Sequence, residues 1–152
     1  MTIKTFDDLI EEREKVFDPD VSNKWIWPKA DQGAWYGPDL NWQHHHRTTY
    51  FKHIKNYRTV VTAGANCGFH ARVFGHRFKT VYAFEPDWLN FYCLTRNCPE
   101  ENIIKIQAAL GDRDGLCAVK LSDDRGNVGC HTIDDTISGK IPIFRLDRKS
   151  VV

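Results

Sequence analysis

What this chain has little of narrows the field first. Charge of one sign is nearly absent in excess, with 21 Lys and Arg against 20 Asp and Glu for a net charge of +1, which leaves no electrostatic footprint for nucleic acid or an anionic membrane. No apolar run approaches the roughly 18 residues a membrane span requires, and the opening stretch MTIKTFDDLIEEREK is too acidic and interrupted for a secretory signal. The expectation is a cytoplasmic protein with no nucleic-acid or membrane partner. Cysteine lacks pairing signals: Cys67, Cys93, Cys98, Cys117 and Cys130 include no CxxC spacing and are odd in number, so reduced thiols behaving as small apolar groups are expected. Metal-ligand spacing is missing too. His44, His45 and His46 are adjacent, and adjacent imidazoles on a helix point in different directions, so no metal is expected.

What is present suffices for one domain, 152 residues of which 41% are hydrophobic. Residues 1–56 read as a leader packing on a core. Within it, Phe6, Leu9, Ile10 and Phe17 give Thr5 to Phe17 the spacing of an amphipathic helix. Residues 18–42 mix Asp, Pro and Gly with Trp25, Trp27, Trp35, Tyr36 and Trp42, which predicts an ordered loop pinned by aromatics, available for core packing, for capping a cofactor or for a sugar. A second helix is expected from about Trp42 to Lys55, with Tyr50, Phe51 and Ile54 on one side.

From Tyr57 the texture changes. A β-branched run to Thr62 ends at Ala63-Gly64, and Phe69 to Phe78 follows with helical spacing; a second run, Thr80 to Phe84, ends at Glu85-Pro86-Asp87 and precedes a helix from Trp88 to Cys98 carrying apolar residues at 88, 89, 91, 92 and 94. Ile103 to Leu110 reads as a third strand. Strands alternating with short helices predict βαβ units and a parallel sheet with flanking helices, which binds ligands at the carboxyl ends of its strands. Beyond Gly115, runs at 116–121, 128–133 and 141–146 read as hairpin or edge strands.

The chemistry concentrates in Val60-Val61-Thr62-Ala63-Gly64-Ala65-Asn66-Cys67-Gly68, with Glu85 following Gly64 by 21 residues. Gly64 lets the backbone bend sharply off its strand, and Gly68 lets the next helix begin close to a ligand without a Cβ. A carboxylate ending the neighbouring strand can accept hydrogen bonds from both ribose hydroxyls. A dinucleotide fingerprint needs G-x-G-x-x-G to admit a pyrophosphate, whereas the spacing here is G-x-x-x-G, which favours a phosphate-free nucleoside such as S-adenosyl-L-methionine over NAD.

Three blocks, VVTAGANCG at 60–68, VYAFEPD at 81–87 and IKIQAALGD at 104–112, resemble in order and spacing the FkbM-type methyltransferases, whose glycine motif commonly reads V-D-x-G-A-N-x-G. Asn127-Val128-Gly129 and IPIFRLD at 141–147 are similar to weaker downstream landmarks, and the tryptophan-rich leader to that of phage members. The resemblance implies a partial Rossmann-like class I methyltransferase fold over 57–146, binding S-adenosyl-L-methionine and O-methylating a small molecule or glycan. It implies that Gly64, Asn66 and Gly68, with Ala65 between, line the methionine and ribose portion, that Glu85 followed by Pro86 holds the ribose, and that Gln107 and Ala108 flank the adenine. Thr62 stands where the family usually has an acid that helps hold the aminoacyl end, and the loss of one charged contact, roughly 1.5 to 3 kcal/mol, predicts weaker binding.

No counterpart of the family's K-I-D-V-E-G segment follows, so the sheet is expected to be incomplete and its central strand exposed as an edge. Residues 147–152, DRKSVV, are what a common sequencing adapter, GATCGGAAGAGCGTCGTG, encodes, so they are expected to be a non-native tail of a longer reading frame. The catalytic base is left open, with Asp87, Asn127 and His131 as candidates by position and His70 as a residue near the reaction centre. The alternatives are a non-catalytic nucleoside-binding fragment and an NAD-binding oxidoreductase module.

Overall fold

The apolar runs between residues 59 and 106 fold as their patterning dictates. In the computed structural model, which describes residues 5–14, 24–31, 49–121, 127–136 and 138–146, strands β3 (Thr59–Ala63), β4 (Thr80–Phe84) and β5 (Ile103–Ile106) form a parallel sheet in the order β3-β4-β5. The register pairs Ala63 with Phe84 and Phe84 with Ile106, so all three carboxyl ends lie level. Helix α2 (Phe69–Gly75) follows β3, and α3 (Trp88–Asn97) follows β4. Val81 and Ala83 from β4 meet Ile103, Leu94, Cys98, Ala71 and Phe78 in the main core. Full burial of a Leu or Ile side chain is worth about 1.5 to 3 kcal/mol, and Leu94 and Ile103 both achieve it.

The chain is thus mixed α/β with a parallel three-stranded sheet and flanking helices, compatible with a Rossmann-like arrangement. Among the described residues β3 is an edge strand. The expectations at Trp35, Tyr36, Trp42, His44 to His46 and the 147–152 tail fall outside the described residues, as does the first half of the predicted helix from Trp42, of which residues 49–53 are helical.

Three elements differ from the sequence reading. Thr5 to Phe17 is not one amphipathic helix: α1 (Phe6–Leu9) is a single turn boxed by Thr5 and Asp8, and the chain then extends into β1 (Ile10–Glu14), antiparallel to β2 (Lys24–Pro28). Pairing with β2 outweighs helical spacing, because the period-two alternation of Trp25 and Trp27 buries both indoles. Trp25 joins Phe69 and Val73 of α2, and Trp27 joins Cys67 and Cys93, its indole N–H donating to the buried Asp31 at 2.6 Å.

The predicted third strand, Ile103 to Leu110, is two. After β5 the chain bends at Gln107-Ala108, where Ala108 N–H donates to Ile106 O at 3.0 Å, and β6 (Ala109–Gly111) leaves the parallel sheet to pair with β9 (Ile141–Arg145). The second sheet runs β6-β9-β7-β8, with β7 (Gly115–Lys120) antiparallel to both β9 and β8 (Thr132–Asp134). The predicted strand at 128–133 is instead a 3-10 turn, Val128–Cys130, followed by β8.

Helix α2 stops at Gly75 rather than Phe78, since Asn102 Nδ2 donates to the carbonyls of both Gly75, at 2.8 Å, and Phe78, at 2.9 Å, and so satisfies its last turn. Among the described residues no helix is long and apolar enough to cross a membrane.

Candidate functional site: a cleft at the carboxyl ends of the parallel strands

The loop leaving β3 turns by alternating handedness. Gly64, Asn66 and Gly68 have φ of 71°, 50° and 98°, left-handed values natural to glycine and tolerated by asparagine. Each intervening amide finds a protein acceptor: Ala65 N–H donates to Phe84 O at 2.8 Å, Cys67 N–H to Asn66 Oδ1 at 2.7 Å and Gly68 N–H to Ala65 O at 3.0 Å. Asn66 N–H donates to Glu85 Oε2 at 2.6 Å. The amides of residues 65–68 are therefore all paired within the protein.

Glu85 stands at the end of β4, next to Gly64, and ties two segments together. Its second oxygen accepts from Asp87 N–H at 2.9 Å. With only 5% of its surface exposed, burial pushes its carboxyl above the usual carboxylate range, while the Asp87 and Asn66 amides pull the other way. The Asn90 side chain is a third partner; two carboxylate oxygens carry four acceptor sites, so acceptor capacity remains for a ligand hydroxyl. Asp87 begins α3, its Oδ1 accepting from Leu89 N–H and Asn90 N–H, both at 2.9 Å, which satisfies two of the helix's orphan donors.

Two asparagines of α3 fix the surroundings. Asn97 Nδ2 donates to Cys67 O at 2.8 Å and to Ile26 O at 2.9 Å, and its Oδ1 accepts from Ile26 N–H at 2.7 Å, binding the glycine loop and β2 to one side chain. Asn90 Nδ2 donates to Val128 O at 3.2 Å, drawing the 3-10 turn over the strand ends. That turn is shaped by Asn127, whose side chain accepts from Gly129 N–H at 3.0 Å. The buried face of α3 is 90, 93, 94 and 97. Trp88, one of the apolar residues that suggested a helix, is 48% exposed.

The result is a cleft with about 430 Å³ of empty space, its open mouth included, bounded by the loop (Gly64, Asn66), the β4–α3 junction (Glu85, Pro86, Asp87, Asn90), Val119 of β7 and residues 128, 129, 131 and 132. Among the described residues two carboxylates line it and no Lys or Arg does. Of the sequence-predicted cofactor residues, Gly64, Asn66, Glu85 and Pro86 converge here. The others sit apart: Thr62 is half-buried within β3, Ala65 is buried beneath the loop, Gln107 is exposed past the end of β5, and Ala108 is buried at the bend after it.

Gly68 needs a correction, because a Cβ there would meet Cys98 Sγ at 2.5 Å and Leu94 Cδ1 at 2.9 Å. Its missing side chain makes room for Leu94 and Cys98, and Gly68 does not line the cleft. At Gly64 a Cβ would meet nothing within 4 Å. Among the candidate bases, Asp87 and His131 line the cleft while Asn127 shapes its turn. His70, exposed on α2, stacks on Phe74 and does not line it.

Sequence reasoning missed Asn90, Val119 and Thr132. A polar residue at a helix's buried face breaks the apolar stripe on which such reasoning depends, and only the Asn127-Val128-Gly129 block carried a local signal for this wall. Among the described residues no group of His, Cys, Asp or Glu could hold a metal ion. No protein-family model matches the chain, and no curated protein matches it.

Proposed function

We propose that the cleft binds S-adenosyl-L-methionine and that the protein is a class I, FkbM-like methyltransferase acting on a small molecule or glycan. The observation that carries this reading is the cleft's polarity: among the described residues Glu85 and Asp87 line it with no Lys or Arg beside them, and the amides of 65–68 are already paired. A pyrophosphate needs free amides and positive charge. It would meet neither in that loop. A ribose needs a carboxylate with lone pairs to spare, and a sulfonium is favoured by negative charge; both requirements are supported here.

When bound, S-adenosyl-L-methionine supplies an electrophilic methyl group. The chain's own contribution is to fix a carboxylate, a bent loop and a walled cleft so that donor and acceptor meet in line. Glu85 would bind the ribose hydroxyls while continuing to hold the Asn66 and Asp87 amides. Gly64, whose missing side chain leaves open space, would admit the aminoacyl end. Thr62 offers that end no charge, so the affinity is expected to be modest.

Calorimetric titration of the purified chain with S-adenosyl-L-methionine and, separately, NAD tests the reading. Heat with the first alone is expected, and Glu85→Gln should weaken it about tenfold, the loss of roughly 1.5 kcal/mol for a hydrogen bond to a charged group. Unchanged affinity removes Glu85 from the site. Heat with NAD alone overturns the methyl-donor reading, and heat with neither leaves a non-catalytic module.

A further inference from the structure

One oxygen of Asp87 and one imidazole in the cleft are not used by the cofactor-binding reading above. Asp87 Oδ1 is occupied by the two amides that start α3, whereas Oδ2 lies 3.3 Å from His131 Nδ1. Independent elements fix the two partners: Asp87 begins a helix, and His131 follows the 3-10 turn held by Asn90 and Asn127. Nδ1 is buried without an aligned hydrogen bond to any described residue, so the pair stands at ion-pair distance. The side chain is nevertheless 18% exposed and lines the cleft, so its accessible edge lies away from Nδ1.

We propose that His131 is the proton acceptor of the methyl-transfer reaction inferred above, on which this assignment rests, with Asp87 as its positioning residue and a neutral hydroxyl as the acceptor group. A carboxylate against Nδ1 favours the tautomer with the proton there, which leaves the lone pair on Nε2. As the acceptor oxygen bonds to the methyl carbon, the carbon–sulfur bond breaks and its electron pair stays on sulfur as a thioether. The hydroxyl proton passes to Nε2, and the imidazolium formed is stabilised by Asp87. Hydrogen bonds of this kind are often long before substrate arrives. Glu85, from the end of β4, is the other titratable side chain lining the cleft among the described residues; β7 and β8 contribute Val119 and Thr132, which do not titrate. Two carboxylates disfavour an anionic acceptor and leave a neutral hydroxyl as the matching group.

Histidine-selective 15N labelling of the full chain, read by long-range proton–nitrogen NMR, tests the assignment. Neutral His131 is expected with Nδ1 protonated and Nε2 bare. Asp87→Asn, which keeps an oxygen to start α3, should move the population toward the Nε2–H form. Diethyl pyrocarbonate, located by peptide mass spectrometry, should acylate His131 in the wild type and react several-fold more slowly in Asp87→Asn. A wild-type His131 in the Nε2–H form, or equal acylation in both proteins, overturns the proposal. Because the wild-type tautomer is read without a variant, misfolding of Asp87→Asn does not blunt the test. Calorimetry with S-adenosyl-L-methionine on the same sample separates the two readings: absence of heat removes the methyl donor and with it this assignment, whereas heat with the wrong tautomer removes only His131.

Discussion

Between Thr59 and Ile106 the chain closes on apolar side chains of β4, β5, α2 and α3, whereas the segments on either side, although Trp25 and Trp27 also pack on that unit, are set in place by the side-chain amides of Asn90 and Asn97. The two chemistries answer different needs. An apolar core is proportional to area and tolerant of direction, so it builds the sheet that sets the height of the cleft floor. An amide has fixed donors and acceptors, so it sets where a loop and a turn stand relative to that floor. In this molecule shape comes from the first region and placement of the site from the second.

The contrast can be strained most severely at Gly68, where the loop touches the apolar unit. Gly68→Ala forces a Cβ against Cys98 Sγ and Leu94 Cδ1 at a left-handed φ of 98°, and the expected loss is about 4 kcal/mol from overpacking and backbone strain together. Gly64→Ala, with a φ of 71° and open space, should lose only about 1 kcal/mol. Urea denaturation of both variants checks the pair, and equal losses would place the two glycines in the same environment.

Asn97→Ala comes next. It removes three hydrogen bonds that join Ile26 and Cys67 to α3, at about 1 kcal/mol each for a total of about 3 kcal/mol. Its signature is spatial, because amide exchange should quicken in β1 and β2 well before it quickens in β4.

The smallest effect is a pH dependence. Burial raises the Glu85 carboxyl above its ordinary value, so the folded chain binds that proton more tightly than the unfolded chain does. Stability from this group is greatest below the unfolded-state value, declines as the pH rises through the interval up to the folded-state value, and is level above it. Glu85→Gln should remove the decline, and thermal melts of variant and wild type from about pH 3 to about pH 8 would show the difference between them changing only within that interval.

The same contrast explains what could be read from the sequence. The strands β3 and β4, the bend at Gly64 and the carboxylate at Glu85 were legible because β-branched runs, a glycine and an acid follow one another within 30 residues. The switch of Thr5 to Phe17 from helix to a turn and a strand was not, since it depends on pairing with β2, ten or more residues away. The division of the third strand at Gln107 was hidden because residues 103–110 read as one strand, while the second half pairs with β9 more than 30 residues later. The wall opposite the glycine loop was least legible of all. It rests on Asn90 reaching Val128 across 38 positions, and single polar contacts at that separation leave no period. Gly68 teaches a further lesson: a glycine at a motif position can also be required by packing.

The central claim, that the Gly64 bend and Glu85 clasp a phosphate-free nucleoside, is tested most directly by backbone amide NMR during titration with S-adenosyl-L-methionine. The account predicts that the resonances of Gly64, Asn66, Asp87 and Gly129 move together and saturate, while those of Lys24 to Ile26 stay in place. Resonances that shift elsewhere while these four stand still, or an equal response to NAD, would contradict it.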